Sequence, residues 1–201
     1  DTNNRILVHA GLKRIRDGLA QPGIRALYRV CGRDPRRAFA YDLGFLLGPR
    51  LNAAGRLTDM TLGIECLVTE SEGRAFEIAQ ELDRLNRERR GIEVEMHETA
   101  LDDLAATDLN DRYSVCLYRE SWHQGVVGVL AGKIKDRLHR PVIVFAEDKD
   151  GCIRGSARSV HGVHIRDVLD TIANRHPGLI AKFGGHAMAA GLTLPRSNLE
   201  Q

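Results

Sequence analysis

Residues 113–147 read YSVCLYRESWHQGVVGVLAGKIKDRLHRPVIVFAE. YSVCLY (113–118) has the aromatic and β-branched content of a strand, and PVIVFAE (141–147) is a short apolar run of the same kind. Between them, GVVGVLAGKIKDRL (125–138) carries apolar residues at helical intervals. Strand, helix and strand in that order announce an α/β domain. CIRGSARS (152–159) and AMAAGLTL (187–194) read as further strands, and HIRDVLDTIAN (164–174) as a second helix. Residues 110–201 are therefore expected to form a compact α/β domain with a mixed sheet.

Upstream of this domain the pattern is purely helical. Asn3 or Asn4 can cap a helix through RILVHAGLKRIRDG, which Gly18 ends. GIRALYRVCG, DPRRAFAYDLGFLLGP and TLGIECLVT read as shorter helices, with Pro35 suited to a first turn. RLNAAGRL, with Gly55 and its small neighbours, is expected to interrupt regular structure. After Gly73 and as far as Ala106 there is no proline and a single glycine, Gly91. Phe76, Ala79, Leu82, Leu85, Ile92, Met96, Leu101 and Leu104 recur mostly every three or four positions, with a gap at NRERRG. The spacing predicts one helix of roughly 33 residues, about 50 Å long, of the kind that links two lobes. Three parts result: 1–72, all helical; 73–109, the connector; 110–201, the α/β domain. The first part has no strand and is expected to complete a sheet domain lying upstream. The absence of an initiator Met, with a helix starting at once, suggests an excised fragment.

Composition excludes several classes. A hydrophobic content of 43% with 28% charged residues fits a soluble globular protein. No apolar run is long enough to cross a bilayer, and the first residues lack a signal peptide's layout. A cytoplasmic protein with no membrane partner is the expectation. The formal net charge of +2 does not by itself announce a polyanion ligand. Its distribution is uneven: Arg33, Arg36, Arg37, Arg50 and Arg56 make the first third basic, whereas 93–111 is mostly acidic. That fits either a polyanion-facing side or a solvated surface. Cys31, Cys66, Cys116 and Cys152 lie far apart in apolar segments and read as buried thiols rather than a zinc site.

Four stretches depart from good helix or strand sequence, which is where function tends to lie. In GPRLNAAGRL (48–57), Arg50 and Arg56 flank small residues and Asn52. This suits close approach to a phosphate, or equally a helix–helix turn whose arginines face water. In ESWHQGVVGVLAG (120–132), His123 precedes a glycine-opened helix, either as a cap or stacking ring or beside an anion held on free N–H groups. In GSARS (155–159), Ser156 and Arg158 share one strand face and make either a phosphate clamp or an ordinary polar edge. His161 and His164, which follow, read as surface or capping residues. In FGGHAMAAGL (183–192), six of ten residues are Gly or Ala around a single imidazole, His186. Gly184 and Gly185 allow unusual backbone, and His186 can donate to a phosphoryl oxygen or protonate a leaving group. A lone histidine is more often structural. No Asp-His-His cluster is present, and the one Asp-x-Asp, Asp148 and Asp150, has no histidine near it in the sequence, so this chain alone is not expected to build a two-metal hydrolase site.

Taken in order, LGFLLGPRLNAAGRL, WHQGVVGVLAGKI, GSARS and FGGHAMAAGL resemble the bacterial RecJ single-strand DNA exonucleases of the DHH phosphoesterase superfamily, and the resemblance runs from residue 1 to about 195. It implies that 1–72 is the end of a DHH domain, 73–109 the connector and 110–201 the DHH-associated domain with its Gly-Gly-His motif. It implies an active site in a cleft between the two domains, with two Mn²⁺ or Mg²⁺ ions held mainly by residues upstream. Arg56, Ser156 and Arg158 would then hold phosphates at the 5′ end, and His186 would contact the scissile phosphate or the bound nucleotide as the catalytic imidazole. Arg50, Asn52, His123, Gly184 and Gly185 are further candidates. The implied activity is 5′ to 3′ exonuclease action on single-stranded DNA in repair and recombination. A monomer is implied, with a single-strand-binding protein and a helicase as further partners; the fragment by itself would be inactive. Two other readings stay open: a DHH phosphodiesterase for short oligonucleotides or cyclic dinucleotides, and a non-catalytic nucleic-acid-binding module.

Overall fold

A computed structural model describes residues 1–200. They divide into two compact units, Asp1–Arg90 and the residues from Gly91 onward, and the division falls inside the long helix.

The first unit is helical. α1 (Thr2–Arg16) is capped by Asp1, whose carboxylate accepts from the Asn3 N–H at 3.0 Å, so the cap lies ahead of the two asparagines that the sequence suggests. Gly18 follows with φ of 77°, a conformation open to glycine. α2 (Pro22–Val30) packs on α5 (Thr61–Val68), and Gly23 makes this possible: a Cβ there would sit 1.7 Å from the Cys66 carbonyl oxygen. Pro35 opens a short 3₁₀ turn over Pro35–Arg37. α3 (Ala40–Asp42) then passes through a π-helical turn at Leu43–Leu47 into α4 (Gly48–Leu57). RLNAAGRL is thus helical, which corrects the expected interruption. Its alanines explain why: Ala53 and Ala54 are fully buried, and alanine is the strongest helix former. Leu27, Tyr28, Ala54, Cys66, Ile78 and Leu82 are among the core.

α6 (Glu72–Ala105) is a single 34-residue helix. The gap in its apolar spacing is filled by buried polar groups. Asn86 and Arg89 are buried in the first unit, where Arg89 Nη2 donates to Asn86 Oδ1 at 3.3 Å. Glu93 is buried in the second, where Lys133 Nζ lies 2.6 Å from its carboxylate.

The second unit is built on a five-stranded sheet in the order β1-β2-β3-β5-β4. β1 (Val115–Tyr118) and β2 (Val142–Glu147) are parallel, joined by the crossover helix α7 (Val127–Leu138). β3 (Cys152–Arg158), β5 (Ala189–Pro195) and β4 (Lys182–Gly185) are antiparallel to their neighbours. β4 is absent from the sequence reading. KFGG has no alternation and two glycines, and only pairing to β5 makes it a strand. One face of the sheet packs Leu117, Val142 and Val144 against α7 and the end of α6. The other packs Phe145, Ala157 and Leu192 against α8 (Ile165–Arg175). Cys66 is buried, and burial pushes its thiol up to about 11. Cys31 and Cys152 are half-buried and Cys116 is exposed on the edge strand β1, so buried thiols were expected at more positions than hold them.

Candidate functional site

The register of three strands arranges the GSARS and FGGHAMAAGL segments side by side. Opposed residues in an antiparallel pair point to the same face, and alternate residues of one strand share it. Ser156 pairs with Gly191, which pairs with Gly184; Arg158 pairs with Ala189. The His186 N–H donates to the Ala189 carbonyl at 2.8 Å, which sets His186 across Ala189 from Arg158. Ala157, Ala190, Leu192 and Phe183 belong to the opposite, α8 face. On the Ser156 side, then, the strands between the polar residues carry only glycine and alanine. Gly184, Gly191 and His186 are exposed there.

Ser156 and Arg158 form a unit. Arg158 Nη1 donates to Ser156 Oγ at 2.9 Å and to the Ala157 carbonyl at 2.8 Å, which holds the guanidinium along the strand. The start of α7 lies beside them. A Cβ on Gly128 would fall 2.9 Å from Arg158 Nη2 and 3.0 Å from Ser156 Oγ. The helix start and the hydroxyl–guanidinium pair therefore share one corner of the sheet. Gly128 has no part in the sequence reading as a candidate; a glycine at a helix start is legible only once the strand beneath it is known.

The two glycines of the Gly-Gly-His segment do different things. Gly185 has φ of 152°, and a Cβ on it would meet the Ala189 carbonyl oxygen and Ala190 Cα at 2.5 Å, so the hairpin itself demands glycine. A Cβ on Gly184 would meet nothing within 4 Å. Its bareness serves no packing within the chain.

The remaining candidates are placed as follows. His123 is half-buried, and its Nδ1 accepts the Gly125 N–H at 3.0 Å, a capping contact ahead of α7. His164 caps α8 through the Asp167 N–H, and His161 is exposed. In the first unit, Arg50 is engaged within the fold: its Nε and Nη2 reach Asp83 at 2.9 Å, its Nη1 donates to the Leu46 carbonyl at 2.8 Å, and only 13% of the side chain is exposed. Asn52 and Arg56 are exposed one turn apart on α4. Sequence reasoning passed over Arg154, Thr193 and Lys182, which continue the same sheet face by register. Arg154 was findable by stepping two residues back from Ser156; Lys182 needed β4.

Among the described residues, no group of three or more His, Cys, Asp or Glu side chains is arranged to hold a metal ion. The site as it stands is cationic and neutral-polar, which suits an anion and not a divalent cation.

The model of the DHHA1 domain matches residues 110–201. Over that stretch the chain is similar to that domain. The chain as a whole is RecJ-like: it is 50% identical over 204 residues to the single-stranded-DNA-specific exonuclease RecJ of Dickeya dadantii, covering 100% of this chain and 35% of that protein. It is 50% identical over 197 residues to the Escherichia coli RecJ, covering 96% of this chain and 34% of that one. The crystal structure of Thermus thermophilus RecJ in complex with Mg²⁺ superposes with a TM-score of 0.83 at 28% identity, over 98% of this chain and 29% of that one. The Mn²⁺ complex of the same protein gives the same TM-score. This RecJ-like chain thus spans about a third of the length of the curated relatives it matches.

Proposed function

We propose that this chain supplies the phosphate-binding side of a metal-dependent exonuclease that degrades single-stranded DNA from 5′ to 3′. The observation that carries the reading is the bonded Ser156–Arg158 pair, set beside Gly191, Gly184 and Ala189 with His186 beyond them. Small residues let a nucleotide lie on the sheet. The guanidinium and hydroxyl then take non-attacking phosphate oxygens, and preorganised donors of this kind stabilise charge as it develops. The His186 imidazole would donate to the same phosphate, and Arg56, with Asn52 one turn away on α4, would hold phosphate on the first unit. Two Mn²⁺ or Mg²⁺ ions, held mainly by residues upstream of this chain, would supply the activated water. The exposed Ile6, Leu7 and Val8 of α1 agree with further chain packing on that helix. Action in DNA repair and recombination in the cytoplasm, as a monomer working with a single-strand-binding protein and a helicase, belongs to the same proposal.

The test is made in a full-length protein carrying this segment. Arg158→Ala and His186→Ala are each expected to lower kcat/KM at least a hundredfold, in line with the loss of one preorganised donor. The chain by itself, stripped of metal and supplied again with Mn²⁺, is expected to show no nuclease activity. Wild-type rates in both variants would remove the phosphate-binding role.

A further inference from the structure

The same sheet face continues past the Ser156–Gly191–Gly184 row. Two residues further along each strand lie Arg154, Thr193 and Lys182, paired in that order by register. Arg154 and Lys182 are exposed and Thr193 is half-buried. Arg154 Nε is steadied by Asp148 at 3.2 Å. The Lys182 side chain makes no hydrogen bond or ion pair among the described residues. No acidic residue stands in either row. We propose that Arg154, Thr193 and Lys182 form a second phosphate-binding row, which makes this face prefer strands of several nucleotides over dinucleotides. The inference rests on the function proposed above and names the substrate length that the site favours.

Distance decides the spacing. Arg154 and Arg158 are four residues apart on one strand, about 13 Å at roughly 3.3 Å per residue. One phosphodiester step of an extended strand does not span that gap, and two steps do. A phosphate held at Arg158 therefore puts the phosphate two steps along near Arg154 and Lys182, and the intervening nucleotide passes over Gly191 and Gly184. A dinucleotide ends before the second row. A lysine on the edge strand β4 has an alternative use, since edge lysines discourage unwanted strand pairing. That use makes no demand on Arg154 or Thr193 and predicts no dependence on ligand length.

The experiment measures binding of 5′-phosphorylated dT2 and dT6 to the chain by fluorescence anisotropy, over a salt series from 20 mM upward. The proteins are the wild type, Lys182→Ala, Lys182→Glu and Arg158→Ala, with circular dichroism confirming the fold of each. Lys182→Ala is expected to leave dT2 unchanged and to weaken dT6 about fivefold at 0.1 M salt, lowering the salt slope by about 0.7, the share of one single-strand phosphate contact. Lys182→Glu is expected to weaken dT6 further and still spare dT2. Unchanged dT6 binding in both Lys182 variants, or equal losses on dT2 and dT6, overturns the second row while Arg158→Ala still weakens both lengths. If Arg158→Ala weakens neither, or the wild type binds neither at 20 mM salt, the underlying reading fails and takes this one with it.

Discussion

At the scale of single residues, the Ser156–Arg158 pair and the glycine facing it explain each other. Gly128 is the second residue of α7, and a methyl group added there would meet the far end of a flexible guanidinium. The side chain can swing aside, and alanine suits a helix better than glycine by about 1 kcal/mol. Gly128→Ala is therefore expected to keep or slightly raise the melting temperature while weakening oligonucleotide binding several-fold, because Arg158 leaves its place beside Ser156. A melting curve and an anisotropy titration on the same sample check both halves; unchanged binding would show that the position of Arg158 is immaterial. Asp148 gives a pH prediction. The Lys149 backbone N–H above all, aided by the Gln124 amide and Arg154, holds its carboxyl below the usual 3.8. A carboxyl with a depressed folded-state pKa adds stability above its unfolded value and loses it as pH falls through the folded one. Asp148→Asn should thus be less stable than the wild type at pH 6, and the gap should close below about pH 4. Thermal melts at both pH values measure this.

At the scale of elements, the β4–β5 hairpin separates packing from binding. Gly185 is required by its own backbone, so Gly185→Ala is expected to destabilise the second unit by roughly 1–3 kcal/mol. Gly184 faces open space, so Gly184→Val is expected to spare stability and impair binding by filling the floor of the sheet. If Gly184→Val binds oligonucleotides as well as the wild type, nothing lies on that floor. The hairpin also marks what could be read from the sequence. The strand–helix–strand unit of 113–147, the 34-residue helix and the shared face of Ser156 and Arg158 are legible because each follows from a local period. β4 is not, because KFGG becomes a strand only through its partner. α4 is misread for a related reason: Gly55 argues against a helix, but buried Ala53 and Ala54 outweigh it. Arg50 reads as either a phosphate candidate or a water-facing turn arginine, and its pairing with Asp83, 33 residues away, is visible only in the fold.

At the scale of the whole molecule, one helix belongs to two units that each have their own core. Apolar residues from Leu12 to Leu85 form one cluster, and those from Met96 to Leu194 form the clusters on the two faces of the sheet. Between them α6 carries a glycine, Gly91, with nothing within 4 Å of a Cβ and therefore no packing reason to be glycine. Helix propensity alone then sets the outcome of a change. Gly91→Ala is expected to gain about 1 kcal/mol and raise the melting temperature by about 2–4 °C. Gly91→Pro removes a helical hydrogen bond and clashes with the turn before it, at a cost of about 3 kcal/mol. The informative measurement is calorimetry of these variants beside two core lesions. Gly23→Ala drives a methyl group into the Cys66 carbonyl, and Gly155→Ala drives one to 2.5 Å from Phe145. If each core is a cooperative unit, the first lesion lowers one transition and the second another, while Gly91→Pro separates the two transitions further. A single transition that all three variants lower by the same amount would mean that α6 makes the two cores melt as one, and the division at Arg90 would then describe geometry and not stability.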